Sequence, residues 1–292
     1  MLNFMISVVI PVHNEQATVE PLCRALQQAL PAGHEILFVD DGSTDRTWDE
    51  IAKVHQPGTV RGLRFRRNFG KTIALQAGFA AARGDIIFTM DGDLQDDPQE
   101  IPRFLAKLDE GYDLVSGWKK VRRDPLSKVG PSRLFNATVR AVTGLKLHDV
   151  NCGFKAYRAE VAKNLRLQGE FHRFTPLLAH AMGFRVGELI VTHHPRRHGR
   201  SHYGFTRLFK GFLDLGTVLL LTRYGDRPSH GFGLAALAAL VAAAALAWPL
   251  PLWGAACAVV AVVLLAAGLV AEIVVHRAPL GNPAWRVREH LD

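Results

Sequence analysis

From Gly231 to Val275 the chain carries a single charged side chain, Glu272, among residues dominated by Ala, Leu and Val. A bilayer demands such a run, because a spanning helix takes roughly 20 apolar residues, whereas soluble cores rarely contain one this long. The tract predicts two short transmembrane helices joined near 249–252. Trp248 and Trp253 flank that turn, at the depth of an interfacial aromatic belt. The competing structure is a buried helical hairpin. Arg196, Arg197, Arg200, Arg207, Lys210, Arg223 and Arg227 precede the tract and Arg277, Arg286 and Arg288 follow it, while the turn is uncharged. The positive-inside rule then places both termini in the cytoplasm and makes this a multi-pass protein of the inner (cell) membrane.

The remainder reads differently. Up to about residue 195, short β-rich runs alternate with helical patterns, as in an open α/β sheet. Strands are expected at Ser7–Ile10, Glu35–Asp40, Val60–Phe65, Asp85–Met90, Leu114–Gly117 and Val186–Val191, and helices at Gln16–Leu30, Thr44–Val54 and Lys71–Ala82. Phe205, Leu208, Phe209, Phe212 and Leu215 recur at three- and four-residue intervals, forming an amphipathic helix that suits either the membrane interface or the globular domain. Four parts follow: a catalytic domain (1–203), an amphipathic juxtamembrane segment (204–230), two spans (231–275) and a cytoplasmic tail (276–292).

Composition removes several function classes. Cys23, Cys152 and Cys257 are far apart and one lies in an expected span, which argues against a disulfide framework or a zinc cluster. The start, Met1-Leu2-Asn3-Phe4-Met5, lacks a basic segment followed by a removable apolar stretch, so no signal peptide is expected. Much of the formal charge of +8 gathers beside the apolar tract, where it meets anionic headgroups or phosphate, and no nucleic-acid-binding signature accompanies it. Nucleic acid is therefore not an expected partner.

Three strand ends carry acceptor-rich segments. Pro11-Val12-His13-Asn14-Glu15 follows the first strand, Asp40-Asp41-Gly42-Ser43-Thr44-Asp45 ends the second, and Asp91-Gly92-Asp93-Leu94-Gln95 ends the fourth. In a parallel sheet the carboxyl ends of strands share one edge, so these loops converge on one crevice. A turn rich in Asp and Gly is ordinary, but three at one edge supply hard oxygen ligands for a divalent cation and a phosphorylated substrate.

Elimination narrows the chemistry. Gly70-Lys71-Thr72 resembles the end of a P-loop, yet the glycine needed five positions earlier is Phe65. Neither a Gly-x-Gly-x-x-Gly after the first strand nor a Gly-x-Ser-x-Gly elbow is present. A cation that offsets the charge of a departing diphosphate fits what remains, which describes a nucleotide-sugar transferase. Lys119, Lys120, Arg122, Arg123, Arg133, Arg196, Arg200 and Lys210 are candidates to hold a lipid phosphate at the bilayer surface, although solvated charge explains any single one of them. A phosphate acceptor is already anionic and needs little help from a general base; Asp149 is the carboxylate placed to act as base or positioning group, or as a structural cap.

These residues together resemble family 2 glycosyltransferases of the dolichyl-phosphate mannose synthase type, in particular bacterial polyprenyl-phosphate hexose transferases with two C-terminal spans. The matching elements are Val9-Ile10-Pro11 with Asn14-Glu15, Val39 to Asp45, Arg67-Asn68-Phe69-Gly70-Lys71, Asp91 to Asp96 with Pro98, Asn151-Cys152-Gly153-Phe154, and Arg196, Gly199, Ser201 and Tyr203. The resemblance implies a GT-A fold, inversion at the anomeric carbon, and a Mg2+ or Mn2+ ion held by Asp93 and Gln95. It implies that Pro11, Glu15, Asp41, Asp91 and Asp93, with His13, Val39 and Gly92 of the same motifs, contact the nucleotide sugar, UDP- or GDP-linked. Lys119, Ser132, Arg133, Arg196 and Ser201 then face the phosphates of donor and polyprenyl phosphate. Relatives usually read Ser-Lys-Tyr where this chain has Ser201-His202-Tyr203, leaving Arg200 or a protonated His202 to replace that lysine. Processive polysaccharide synthases resemble the chain only up to the Asp-x-Asp region, and their Gln-x-x-Arg-Trp element is missing. A catalytically silent, membrane-tethered nucleotide-sugar-binding protein is disfavoured by the presence of Asp91, Asp93 and Gln95 together. Nothing in the sequence sets the number of chains, and a homo-oligomer is left open.

Overall fold

The computed structural model describes residues 4–120, 126–195, 205–224 and 287–291, with Val263, Val270 and Ile273 as isolated helical positions. The expected spans and their turn otherwise lie outside the described residues. Among the described residues no helix is long and apolar enough to cross a membrane.

One mixed sheet of eight strands organises residues up to 211 and 282–292, in the order β7-β5-β6-β4-β1-β2-β3-β8. At its centre β1 (Ile6–Val12) runs parallel to both β2 (His34–Asp40) and β4 (Ile86–Thr89), and β3 (Val60–Phe65) continues parallel beyond β2. Strands covered on both faces need apolar residues at every position, which is why Ser-Val-Val-Ile and Ile-Leu-Phe-Val read as continuous runs. Val12 pairs with Asp40 and Val9 with Thr89, so the three acidic loops do leave one edge.

Helices cover the sheet on two sides. Val8, Ile10, Val12, Ile36 and Phe38 join Leu22 and Leu26 of α1 (Val19–Ala29), Trp48 and Ile51 of α2 (Thr47–Val54) and Phe104 of α4 (Ile101–Asp109) in one buried cluster. The apolar positions of α1 fall three and four apart, and this stripe is the face it buries. Against β1 and β2 packs α3 (Lys71–Ala81), whose first residue starts at the acidic edge.

The structure departs from the sequence expectation at two strands. Between β4 and β5 (Leu114–Trp118) lies β6 (Lys155–Arg158), antiparallel to both; β7 (Val186–Ile190) then runs parallel to β5. Lys-Ala-Tyr-Arg is too short and too charged at its ends to show a strand period. The second addition is β8 (Val287–Leu291), antiparallel to β3, within the stretch expected to be a tail. Remaining helices are α5 (Leu126–Thr143), α6 (Ala159–Asn164), α7 (Thr175–Ala181) and α8 (Phe205–Tyr224), the last covering the expected amphipathic segment. Residues 212–281 form a separate compact unit, in which Leu215 and Val218 of α8 are buried and Leu213 is exposed.

Three aromatic rings fix the chain beside the acidic edge. Phe104 of α4 lies 5.8 Å from Phe88 of β4 and 4.5 Å from Phe154, centroid to centroid. Each such contact adds about 0.5–1.5 kcal/mol beyond area burial. Phe154 is thereby anchored, and with it the Asn151–Gly153 loop.

Candidate active site

The first two loops form one stitched lip. Asn14, in the left-handed region at φ 57°, accepts at Oδ1 from the Thr44 N–H at 2.9 Å and the Asp45 N–H at 3.4 Å, and its own N–H donates to Ser43 Oγ at 2.9 Å. The Glu15 N–H donates to Thr47 Oγ1 at 2.8 Å, and His13 Nδ1 lies 3.0 Å from the Asp41 carbonyl oxygen. Asp41 reaches a third loop, accepting from the backbone N–H groups of Phe69 at 2.7 Å and Gly70 at 2.9 Å. Burial nonetheless raises its pKa above the ordinary 3.8, against those two donors. Gly42 makes the close approach feasible: it sits at φ +67°, and a Cβ there would collide with the Arg67 backbone. Pro11 and Glu15 are half-buried on this lip, His13 is exposed, and the Val39 side chain is fully buried in the core.

Asp91 stands just beyond β4, ion-paired with Lys71 at the start of α3. Burial disfavours its charge, but Lys71 and Lys119 outweigh that and hold the carboxyl well below the usual carboxylate range. On its other side the carboxylate abuts Gly153, where a Cβ would lie 2.6 Å from Oδ1. Thr89 Oγ1 donates to the Gly153 carbonyl at 2.7 Å, locking that loop against the strand.

The next turn is tightly held. The Gln95 N–H donates to Asp93 Oδ1 at 3.2 Å, with Leu94 between them at φ 61°. Gln95 Nε2 donates to the His194 carbonyl at 3.2 Å, the His194 N–H returns a bond to the Gln95 carbonyl at 2.8 Å, and Asp96 bridges to His193. Asp93 and Gln95 are oxygen donors two residues apart on a fixed turn. That suits Mg2+ or Mn2+, which usually take one or two protein oxygens and complete their shell with substrate phosphates and water. Among the described residues no group of three or more His, Cys, Asp and Glu side chains gathers for a metal.

Lys119, expected to face phosphates, is 2.8 Å from buried Asp96. Burial works against its charge, yet Asp96 and neighbouring groups raise its pKa well above the ordinary lysine value. Asp149 is almost fully buried; its N–H donates to Glu188 Oε1 at 2.9 Å, beside the His148 N–H at 2.8 Å. Gly92 is buried between Asp91 and Asp93. Ser132 and Arg133 lie in α5 and Lys210 in α8, with side chains outside the described residues, as are Arg196, Arg200, Ser201 and Tyr203 altogether.

Other groups come into the site only in three dimensions. A cavity of about 110 Å³ under Asp91 is lined by Lys71, Asn151, Lys155 and His172, among others. His172 Nδ1 lies 2.7 Å from Thr72 Oγ1, and burial together with Lys71 keeps the imidazole neutral, well below its ordinary 6.5. His193 is brought to Gln95, with their Nε2 atoms 3.4 Å apart.

Residues 7–166 match the description "Glycosyl transferase family 2". The chain is 44% identical over 251 residues to dodecaprenyl-phosphate galacturonate synthase of Rhizobium johnstonii, covering 81% of this chain and 74% of that protein. Over 223 residues it is 38% identical to an undecaprenyl-phosphate 4-deoxy-4-formamido-L-arabinose transferase of Pseudomonas paraeruginosa, covering 75% of this chain and 66% of that one. In fold it is similar to glucosyl-3-phosphoglycerate synthase from Mycobacterium tuberculosis in complex with Mn2+ and UDP-glucose, with a TM-score of 0.58 at 21% identity over 75% of this chain and 79% of that one. The same synthase with Mn2+, UDP and glucosyl-3-phosphoglycerate gives a TM-score of 0.59 over 75% and 80%. With an acidic strand edge of this geometry on a GT-A-like mixed sheet, the chain belongs to glycosyl transferase family 2.

Proposed function

We propose that the protein transfers a sugar from a nucleoside diphosphate to a polyprenyl phosphate at the membrane surface, with inversion at the anomeric carbon. The observation that carries this reading is the delivery of Asp41, Asp91 and Asp93 to one edge of the sheet by parallel β1, β2 and β4. The acceptor class is supported by the two relatives named above, both of which are named for a polyprenyl phosphate. An acceptor phosphate oxygen bonds to the anomeric carbon while the bond from that carbon to the donor's β-phosphate oxygen breaks. Its electron pair leaves with the nucleoside diphosphate. The attacking oxygen is already anionic, so no general base is required, and the backbone N–H of Asp149 ties its loop to Glu188.

Asp93 and Gln95 would hold a Mg2+ or Mn2+ ion, which when bound offsets the charge appearing on the leaving diphosphate. Asp41, with the Pro11–Glu15 lip, binds the nucleotide; Lys71 keeps Asp91 ionised. Ser132 and Arg133 are assigned to the lipid-phosphate side by the resemblance, and Arg196, Arg200, Ser201, Tyr203 and Lys210 by it and by their nearness in sequence to the apolar tract.

The membrane part of the proposal is two spans in 231–275 of an inner-membrane protein. Two features support it. The tract is long and uncharged between basic flanks. Val287–Leu291, beyond the tract, pairs with β3 of the sheet that precedes it, so any excursion through a bilayer crosses it an even number of times. Purified full-length protein, undecaprenyl phosphate, Mn2+ and a panel of nucleotide sugars should yield a lipid whose mass has grown by one sugar. Glycosylation of soluble acceptors without a lipid product would refute the reading.

A further inference from the structure

The cavity beneath Asp91 holds more positive charge than its wall offsets. Among the described residues two ammonium groups line it, Lys71 from α3 and Lys155 from β6, and one carboxylate, Asp91, which is paired with Lys71. Lys119 does not change the sum, because its partner is Asp96. Neither do the other polar groups of the wall. Burial pushes the Cys152 thiol up to about 12 and keeps it protonated, and His172 is neutral.

Lys155 is only 2% exposed, and its Nζ donates to the Cys152 carbonyl. Asp149 and Asp91 act on it in the favourable direction, yet burial and the neighbouring Lys71 prevail and lower it to about 8. An ammonium enclosed in this way is costly unless an anion joins it. The space for one exists, since about 110 Å³ admits a carboxylate with a water or two but not a whole nucleotide sugar.

Resting on the glycosyl-transfer reading, we propose that the donor is a nucleoside-diphosphate uronic acid, and that Lys155 together with Lys71 receives the carboxylate of its sugar in this cavity. The wall is suited to a sugar's anionic corner. Asn151 and neutral His172 offer hydrogen-bonding groups beside the carboxylate. Lys155 is thus the residue that separates uronates from neutral hexoses.

The test is binding, which needs no lipid acceptor. Full-length protein with Mn2+ is titrated with UDP-galacturonate and UDP-glucuronate, and separately with UDP-galactose and UDP-glucose. Wild type should prefer at least one uronate over its matching hexose by about 30-fold or more, the scale of one enclosed charge pair. Lys155→Met, checked for folding by circular dichroism, should lose that preference at least tenfold on the same scale. Lys155→Gln is the second variant should the methionine chain fail to fold.

Equal affinity of wild type for uronates and hexoses overturns the inference while leaving glycosyl transfer intact. Equal losses for both donor classes in the variants overturn it as well, because the anion would then be a phosphate common to both. If UDP sugars bind with the expected preference but no lipid product ever forms, the acceptor reading fails and the donor inference stands.

Discussion

Two buried charge clusters lie at opposite edges of the same sheet, and they are built differently. At the amino end, Glu35 accepts from Ser7 Oγ at 2.6 Å, the Arg83 N–H at 2.6 Å and Arg61 Nη1 at 2.9 Å, with Arg61 itself enclosed. At the carboxyl end, Asp91 meets Lys71, while Lys155 sits behind them beside an open cavity. The first cluster pairs its charges and fills its space. The second leaves a cation and a void facing the crevice. Matched burial of charge marks structure here, and unmatched burial marks a place for a ligand.

Substitutions should separate the two ends. The largest effect is expected at Asp93→Ala, which should lower lipid glycosylation about a thousandfold or more through loss of the metal's charge stabilisation. Its melting temperature should stay within a few degrees of wild type; undiminished transfer by the folded variant would remove Asp93 from the metal site. Glu35→Ala should do the reverse. Leaving Arg61 enclosed without its carboxylate costs about 3–5 kcal/mol in denaturant unfolding, with turnover per folded molecule unchanged. An activity loss exceeding the stability loss would blur the distinction between the clusters.

Gly153→Ala is predicted to affect the carboxyl end more gently. Its Cβ would press on the Asp91 carboxylate at 2.6 Å, so the loop must shift, costing about 1–3 kcal/mol. Transfer should fall about 10- to 100-fold, with about one factor of ten per 1.4 kcal/mol of misplacement at the site. Full activity would show that the Asn151–Gly153 loop does not set the position of Asp91.

The smallest effect is a pH dependence. Lys155 sits at about 8 in the folded chain against an ordinary 10.5, so between those values the unfolded chain binds the extra proton. Stability due to this group therefore rises with pH across that window, and its penalty is fully present below about 8. The stability difference between wild type and Lys155→Met should shift in favour of wild type from pH 8 to 10.5. Using the difference removes Cys152, whose raised value works in the opposite direction. A constant difference across the window would mean that Lys155 is not held in a depressed state.

Much of the central sheet was legible from sequence, because strands buried on both faces must be apolar throughout and their Asp-rich ends stand out. The helix from Lys71 was legible for the same kind of reason, through its spacing. What escaped was geometry made by insertion. Lys155 begins a four-residue strand and looks like a solvated lysine until β6 is set between β4 and β5. His172 lies a hundred positions from Thr72, its partner. Gly70-Lys71-Thr72 looks like a failed P-loop, and only the fold shows Lys71 serving Asp91 instead. A basic residue straight after the Asn151–Phe154 motif was the one signal that could have pointed to Lys155.

Formation of polyprenyl-phosphate sugar by purified full-length protein, followed by lipid mass before and after chelation of divalent ions, tests the whole account most directly. The account predicts a product one sugar heavier than undecaprenyl phosphate, lost on chelation, restored by Mn2+ or Mg2+, and absent in Asp93→Ala at every metal concentration. Product that persists unchanged in the chelated enzyme and in folded Asp93→Ala would contradict it.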